Sequence, residues 1–211
     1  MKKFSYAVFT FCAIVANASA GQIGITEWMY NGLGAGSSGE FVELTNLGAS
    51  AIDMTGWSFD DNSRQPGSQS LSAFGIVQPG QSVIFTDITA ATFISNWSLV
   101  GVSVIGGNTN NLGRADEINI YDNTNLLVDR LTYDDQTISG CPRTQSISGN
   151  PITPAALGAN ACGQWKLSQV GDVYGSYASS LGEIGNPGRN VPEPMALLPL
   201  LLGTILIRRR N

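Results

Sequence analysis

Histidine does not occur anywhere in the 211 residues. Its absence removes the commonest metal ligand and the usual general base, so a serine triad and a histidine-rich zinc site are both excluded. Charge of either sign is sparse, at 13% of residues, so Ser, Thr and Asn are expected to cover much of the surface. Positive charge is the scarcest. Between residues 21 and 190 only Arg64, Arg114, Arg130, Arg143, Lys166 and Arg189 oppose fifteen Asp or Glu. Counterion release from phosphate needs clustered basic side chains, and these six are scattered, so no nucleic-acid partner is expected. Cysteine is limited to Cys12, Cys141 and Cys162. No apolar run spans a bilayer comfortably either: the thirteen residues 195–207 reach about 20 Å as a helix, short of the ~30 Å hydrocarbon core.

What the chain does have is many short apolar runs separated by Gly, Asn and Ser, the pattern of a β-sandwich rather than of βαβ units. The stretch 39–59 is the centre of that pattern. Phe41, Glu43 and Thr45 alternate with Val42, Leu44 and Asn46, which predicts a half-buried strand, and Ile52, Met54 and Trp57 predict a second one after a polar turn. Further strands are expected over 23–30, 71–77, 82–86 and 99–105. A hairpin is expected from 113–121 and 125–133 around the turn 122–125. Gln78-Pro79-Gly80 is a turn, with Pro presetting φ and Gly permitting positive φ. Residues 88–97 carry apolar side chains at a helical period and predict a short helix whose aromatics cover the core. Residues 31–38, with Gly32, Gly34 and Gly36, make a hairpin loop; no helix follows to present its N-terminus to a phosphate. Residues 60–70 are expected to be solvated.

Residues 1–20 combine Lys2 and Lys3, an apolar run and Ala18-Ser19-Ala20, the order of a secretory signal, so cleavage is expected between Ala20 and Gly21. The competing reading is a buried first helix. Export places Cys141 and Cys162 in an oxidising compartment as one even pair, and a disulfide between them is expected, since two lone ligands make a poor zinc site.

Several of these residues resemble the lamin tail domain. The matching positions are Ile25-Thr26-Glu27 with Met29-Tyr30-Asn31, residues 39–44 (GEFVEL), Asn46, Asp53, Gly56-Trp57 and Pro79-Gly80 before the strand 82–85. Later come Asp116, Ile118, Ile120, Val128, Asp129 and Tyr133, then Trp165 and the Gly-x-Pro-Gly end at residues 185–190. The resemblance implies an all-β, immunoglobulin-like antiparallel β-sandwich over 21–190, with a loop insertion at 134–163. An N-terminal signal helix and a C-terminal hydrophobic helix would flank it. Residues 191–211 resemble a second pattern, the bacterial PEP-CTERM sorting signal: Val191, Pro192, Glu193 and Pro194, then an apolar run, then Arg208, Arg209 and Arg210. That resemblance implies export across a bacterial inner membrane, transient membrane insertion, and processing by an exosortase-type membrane enzyme. A plain single-span anchor is the alternative.

Glu27, Glu40, Glu43, Asp53 and Asp116 are the acidic residues at the matching positions. A carboxylate cluster can bind calcium or act as an acid/base pair, but no DxDxDG loop is present, and carboxylates at alternating strand positions are expected to face water. No catalytic residue, metal or cofactor is therefore expected. The leading expectation is an exported, non-catalytic interaction module at the cell surface or in the extracellular matrix, with polysaccharide or surface proteins as partners. The alternatives are a carbohydrate-binding module stacking sugars on Tyr30, Tyr174 and Tyr177, and a small surface hydrolase.

Overall fold

The alternating runs resolve into strands throughout residues 23–189, the span that this computed structural model describes. Ala20 and Gly21, the tail residues Val191, Pro192, Glu193, Pro194, Arg208, Arg209 and Arg210, and both expected flanking helices lie outside the described residues. In chain order come β1 (Ile23–Met29), β2 (Phe41–Asn46), β3 (Ile52–Asp53), β4 (Ser58–Asp60), β5 (Gln69–Ser70), β6 (Ile76–Val77) and β7 (Ser82–Thr86). The α-helix α1 (Ala90–Trp97) follows, and then β8 (Ser103–Ile105), β9 (Ala115–Tyr121) and β10 (Leu127–Asp134). Last are β11 (Gly149–Pro151), β12 (Trp165–Leu167), β13 (Tyr177–Ala178) and β14 (Ile184–Gly185). No helix among the described residues is long and apolar enough to cross a membrane.

A six-stranded sheet, ordered β12-β11-β1-β2-β7-β8, packs on a four-stranded sheet ordered β10-β9-β4-β5, consistent with an immunoglobulin-like sandwich. Within the larger sheet, β7 and β8 run parallel, and such a pair needs a crossover, which α1 supplies. Ile25, Trp28, Val42, Leu44, Val83 and Phe85 face Phe59, Ile118, Ile120, Leu131 and Tyr133 in one core. Phe59 and Phe85 meet there with ring centroids 4.5 Å apart, and Trp28 and Tyr133 at 4.0 Å. The register between β1 and β2 slips between Ile25 and Glu27, a bulge that lets Ile25 and Trp28, three residues apart, point into the same core.

The opposite face of the six-stranded sheet is also covered. Met29, Phe41 and Ile84 pack beneath Phe93 and Trp97 of α1, which is capped by the Thr89 hydroxyl accepting from the Thr92 amide. With α1 over Phe41 and other segments over the rest of that face, every residue of β2 is buried, not half of them as the alternation predicts. The period of a strand says which residues share a face, but not whether something later in the chain lies over that face.

Three other expectations change. Residues 71–77 do not form one strand: Ser72–Phe74 make a 3-10 turn that ends at Gly75, with φ 60° and ψ −129°, before β6 resumes. Only glycine occupies that backbone region readily, so the run breaks there. The stretch 134–163 is not wholly an irregular insertion, because β11 lies in it and joins β12 to β1 in the six-stranded sheet. Residues 60–70 include the buried Asp60, whose carboxylate accepts from the Gln65 amide and the Ser63 hydroxyl, although the loop around it is exposed.

At the free side of β10 two backbone amides are occupied by side chains. Asn160 Oδ1 accepts from the Thr132 amide at 2.6 Å, and Asp129 Oδ1 accepts from the Arg130 amide at 2.7 Å.

Candidate functional site

Of the five acidic residues singled out by position, three are withdrawn from water: Glu27, Glu43 and Glu40 are 0%, 0% and 4% exposed. The expectation that strand carboxylates face solvent fails for these three. Asp53 does lie at the surface, where it accepts from the Thr55 amide and hydroxyl. Asp116 is half-buried and accepts from the amides of Gly113, Glu117 and Asn62.

Glu27 and Glu43 are directly opposite each other across β1 and β2, on the face that turns away from the main core. Cross-strand neighbours of this kind have Cβ atoms roughly 5 Å apart. Covering them is a C-terminal strap, residues 184–189, whose backbone amides point down at the two carboxylates. The Asn186 amide donates to Glu27 Oε1 at 2.7 Å, and the Gly188 amide donates to Glu43 Oε2 at 2.6 Å. Glu27 Oε1 also accepts from the Ser148 hydroxyl, while Glu43 Oε1 accepts from Ser82 Oγ at 2.9 Å and Thr26 Oγ1 at 3.2 Å. Glu27 Oε2 is buried and has no partner. The Asn186 side chain extends the network, accepting from Asn150 Nδ2 at 2.7 Å, and Asn150 in turn donates to Ser168 Oγ.

Both glycines of the Gly-x-Pro-Gly end have a physical task here. The strap comes so near the sheet at Gly185 that a Cβ there would lie 2.9 Å from Glu27 Oε1 and 3.1 Å from Trp97. Gly188 has φ 76°, and a Cβ on it would meet Val102 at 2.6 Å. Burial, followed by the neighbouring Glu43 carboxylate, pushes Glu27 well above the ordinary carboxylate range. Burial likewise pushes Glu43 up to about 7. No Lys or Arg among the described residues forms a salt bridge with either group.

Glu40 does a similar task at the other end of β2. It accepts from the Leu112 amide at 2.9 Å and from Asn108 Nδ2 at 3.3 Å, tying the Asn-rich loop 106–113 to the sheet, and burial pushes it up to about 8. Glu183, which the residue pattern did not single out, is 1% exposed and accepts from the Leu33 amide, holding the Gly-rich loop 31–38. Asn150, Ser148 and Ser168 were likewise not legible as a set, because they come together only through the pairing of β11 with β12. Their one sequence-level sign is the Gly-Asn-Pro-Gly turn at residues 185–188. Glu117, by contrast, sits beside Arg64, whose fork holds it down at about 2.

Chemically, these carboxylates act as acceptors for loop amides and are shut away from any substrate. Among the described residues no group of three or more Cys, Asp or Glu is arranged to hold a metal ion. The recess lined by Ile23, Gly24, Leu47, Val128, Asp129, Leu157 and Gly158 has room for little more than a water molecule. Tyr30 and Tyr174, expected as stacking platforms for sugars, are buried, and Tyr177 is half-buried with Arg189 4.3 Å above its ring and its hydroxyl donating to the Trp97 carbonyl. The first two are occupied by packing, since Tyr30 sits 6.5 Å from Tyr133 and Tyr174 donates to the Pro151 carbonyl.

Cys141 and Cys162 form a disulfide across 21 residues of sequence. Both are buried, and the bridge ties the 3-10 turn Cys162–Gln164, directly before β12, to the segment that leaves β10. Replacing both cysteines with alanine is expected to lower unfolding stability by about 3 kcal/mol, the loop-entropy value for a closure of this length. A urea titration with a lower midpoint, and a slope equal to or steeper than the parent's because the unfolded chain is less compact, would show it, and an unchanged midpoint would refute it.

Searches of curated proteins and of solved structures found no match. A family model does match: the lamin tail domain, over residues 16–135, more than half of the chain and the part that carries β1 to β10. The chain belongs to the lamin tail domain family.

Proposed function

We propose that the chain is exported across the inner membrane of a bacterium and acts, without catalysing a reaction, as an interaction module at the cell surface or in the extracellular matrix. Its tail would be a PEP-CTERM sorting signal cut by an exosortase-type membrane enzyme. The observation that carries this reading is the order of parts in the tail: Val191-Pro192-Glu193-Pro194, thirteen apolar residues, then Arg208-Arg209-Arg210. Arginines favour the cytoplasmic side of a membrane, and an apolar run this short suits a transient anchor better than a permanent one. The non-catalytic part of the reading is supported by the way the buried carboxylates are taken up by loop amides. Extracellular polysaccharide and other surface proteins are the partner classes that fit it.

Intact mass measured on the protein from the membrane and extracellular fractions of its own host tests the proposal. A chain starting at Gly21 and ending near Pro194, found outside the membrane, is the expected result. A chain that still carries Arg208 to Arg210 in the membrane fraction would replace sorting with permanent anchoring.

A further inference from the structure

Glu27 and Glu43 form a pair of carboxylates with no cation bonded to either, and they sit between a sheet and a strap whose Asn186 and Gly188 amides they hold, while β14 at the start of the strap pairs with β13 and bonds Ser146. Two adjacent ionised carboxylates without a counter-charge are not sustained in a site closed to water, so the pair must take up a positive charge. The candidates are a metal ion and a proton. The groups aimed at these oxygens decide between them: the amides of Asn186 and Gly188 and the hydroxyls of Ser82, Ser148 and Thr26 donate hydrogens to the carboxylates. A cation would have to face those same positively polarised hydrogens. A proton needs only the one buried oxygen without a partner, Glu27 Oε2.

The other ionisable groups near the pair do not supply the missing charge. Asp172 adds negative potential at Glu27, and Tyr177 is neutral with its hydroxyl committed to the Trp97 carbonyl. Arg189, on the strap itself, lies over the outer face of the Tyr177 ring and donates to the Gly175 carbonyl.

We propose that the part of the strap beyond β14 is a proton-operated latch: residues 186–189 stay closed over the sheet while the Glu27–Glu43 pair holds a proton, and lift when both carboxylates are ionised. In the closed state the two amides and the proton on Glu27 Oε2 leave the pair with at most one negative charge. With the proton gone, hydration of two charges outweighs two amide hydrogen bonds, and opening the strap is the way for water to reach them. Lifting would also free the residues directly ahead of Val191. That consequence rests on the sorting reading, whereas the latch itself does not.

Hydrogen exchange of the full chain, followed at the Asn186 and Gly188 amides and corrected for the intrinsic pH dependence of exchange, tests the latch. From about pH 5 to about pH 9 the protection of these two amides is expected to fall by about tenfold or more beyond any fall at the Val83 and Phe85 amides of β7. The double substitution Glu27→Gln and Glu43→Gln, which keeps side-chain shape but cannot ionise and turns one accepting oxygen of Glu43 into a donor, is expected to remove that extra fall. Strap protection that is equal at both pH values, or an extra fall that persists in the double variant, would overturn the proposal. Should the variant not fold, the carboxyl carbon resonances of the native protein decide: one of the pair keeping its proton above about pH 6 supports the latch, and both ionised by about pH 5 overturns it. If calcium added at high pH closes the strap and a chelator reopens it, the counter-charge is a metal and the proposal falls.

Discussion

A fragment ending at residue 135, where the family match stops, is expected to show no cooperative unfolding transition, whereas residues 23–189 melt as one unit. The fragment keeps β1 to β10 but loses β11 and β12, which complete the six-stranded sheet beside β1. It also loses Trp165, 3% exposed in the main core, and the strap over Glu27 and Glu43. Removing one large buried aromatic side chain costs about 3–5 kcal/mol, and here that loss comes together with the loss of the whole Cys141–Cys162 bridge and the exposure of one side of β1. A domain of this size is stable by only about 5–15 kcal/mol in total, so the sum of these losses reaches or exceeds the margin. Circular dichroism melts of the two fragments, with amide proton dispersion as the second readout, make the comparison; a dispersed spectrum from the short fragment would show that residues 136–189 are an accessory.

Stability is expected to be greatest in mildly acidic solution and to decline toward alkaline pH, the reverse of the usual slope for a protein rich in carboxylates. Glu43 and Glu40 titrate near 4.5 when unfolded and at about 7 and about 8 when folded, and Glu27 is shifted the same way. Between those values the folded state holds protons that the unfolded state has released. Stability therefore falls as pH rises from about 4.5 to about 8, the range over which Glu43 and Glu40 release their protons in the folded state. Each pKa unit corresponds to about 1.4 kcal/mol, so even after generous discounting the decline is on the order of 3 kcal/mol. Glu117 works in the opposite sense: held at about 2 by Arg64, it contributes stability above its unfolded value that is lost as pH falls toward 2. Together the two directions place the maximum near pH 4–5. Urea midpoints at pH 5 and pH 8 test this, and Glu40→Gln should flatten part of the decline. A midpoint that rises with pH would contradict the assignment.

Much of the sandwich was legible because its signals are local. Pro79-Gly80 forms the expected turn, with Gly80 at φ 72° and the Gln81 amide returning to the Gln78 carbonyl, and β7 begins right after it. The hairpin of β9 and β10 and the helix α1 also follow from short-range patterns, with Asn125 taking the left-handed conformation at the hairpin turn. What stayed hidden depends on distant parts of the chain. Glu27 and Glu43 read as solvent-facing because nothing within β1 or β2 announces a strap more than 140 residues later. Tyr30 and Tyr174 have the composition of a sugar platform, yet their burial is decided by partners on β10 and β11. Asn150 and Asn186 look like ordinary loop residues until sheet pairing places one amide against the other.

The two side-chain caps on the outer amides of β10 bear on how this protein behaves in company. An eight-residue strand at the margin of a sheet is a template onto which an identical strand from a neighbouring molecule can add. With the Thr132 amide held by Asn160 and the Arg130 amide by Asp129, two adjacent donors in the middle of that margin are already taken. A second copy pairing along this margin would first have to displace both side chains, which raises the cost of zipping molecules into a continuous sheet there.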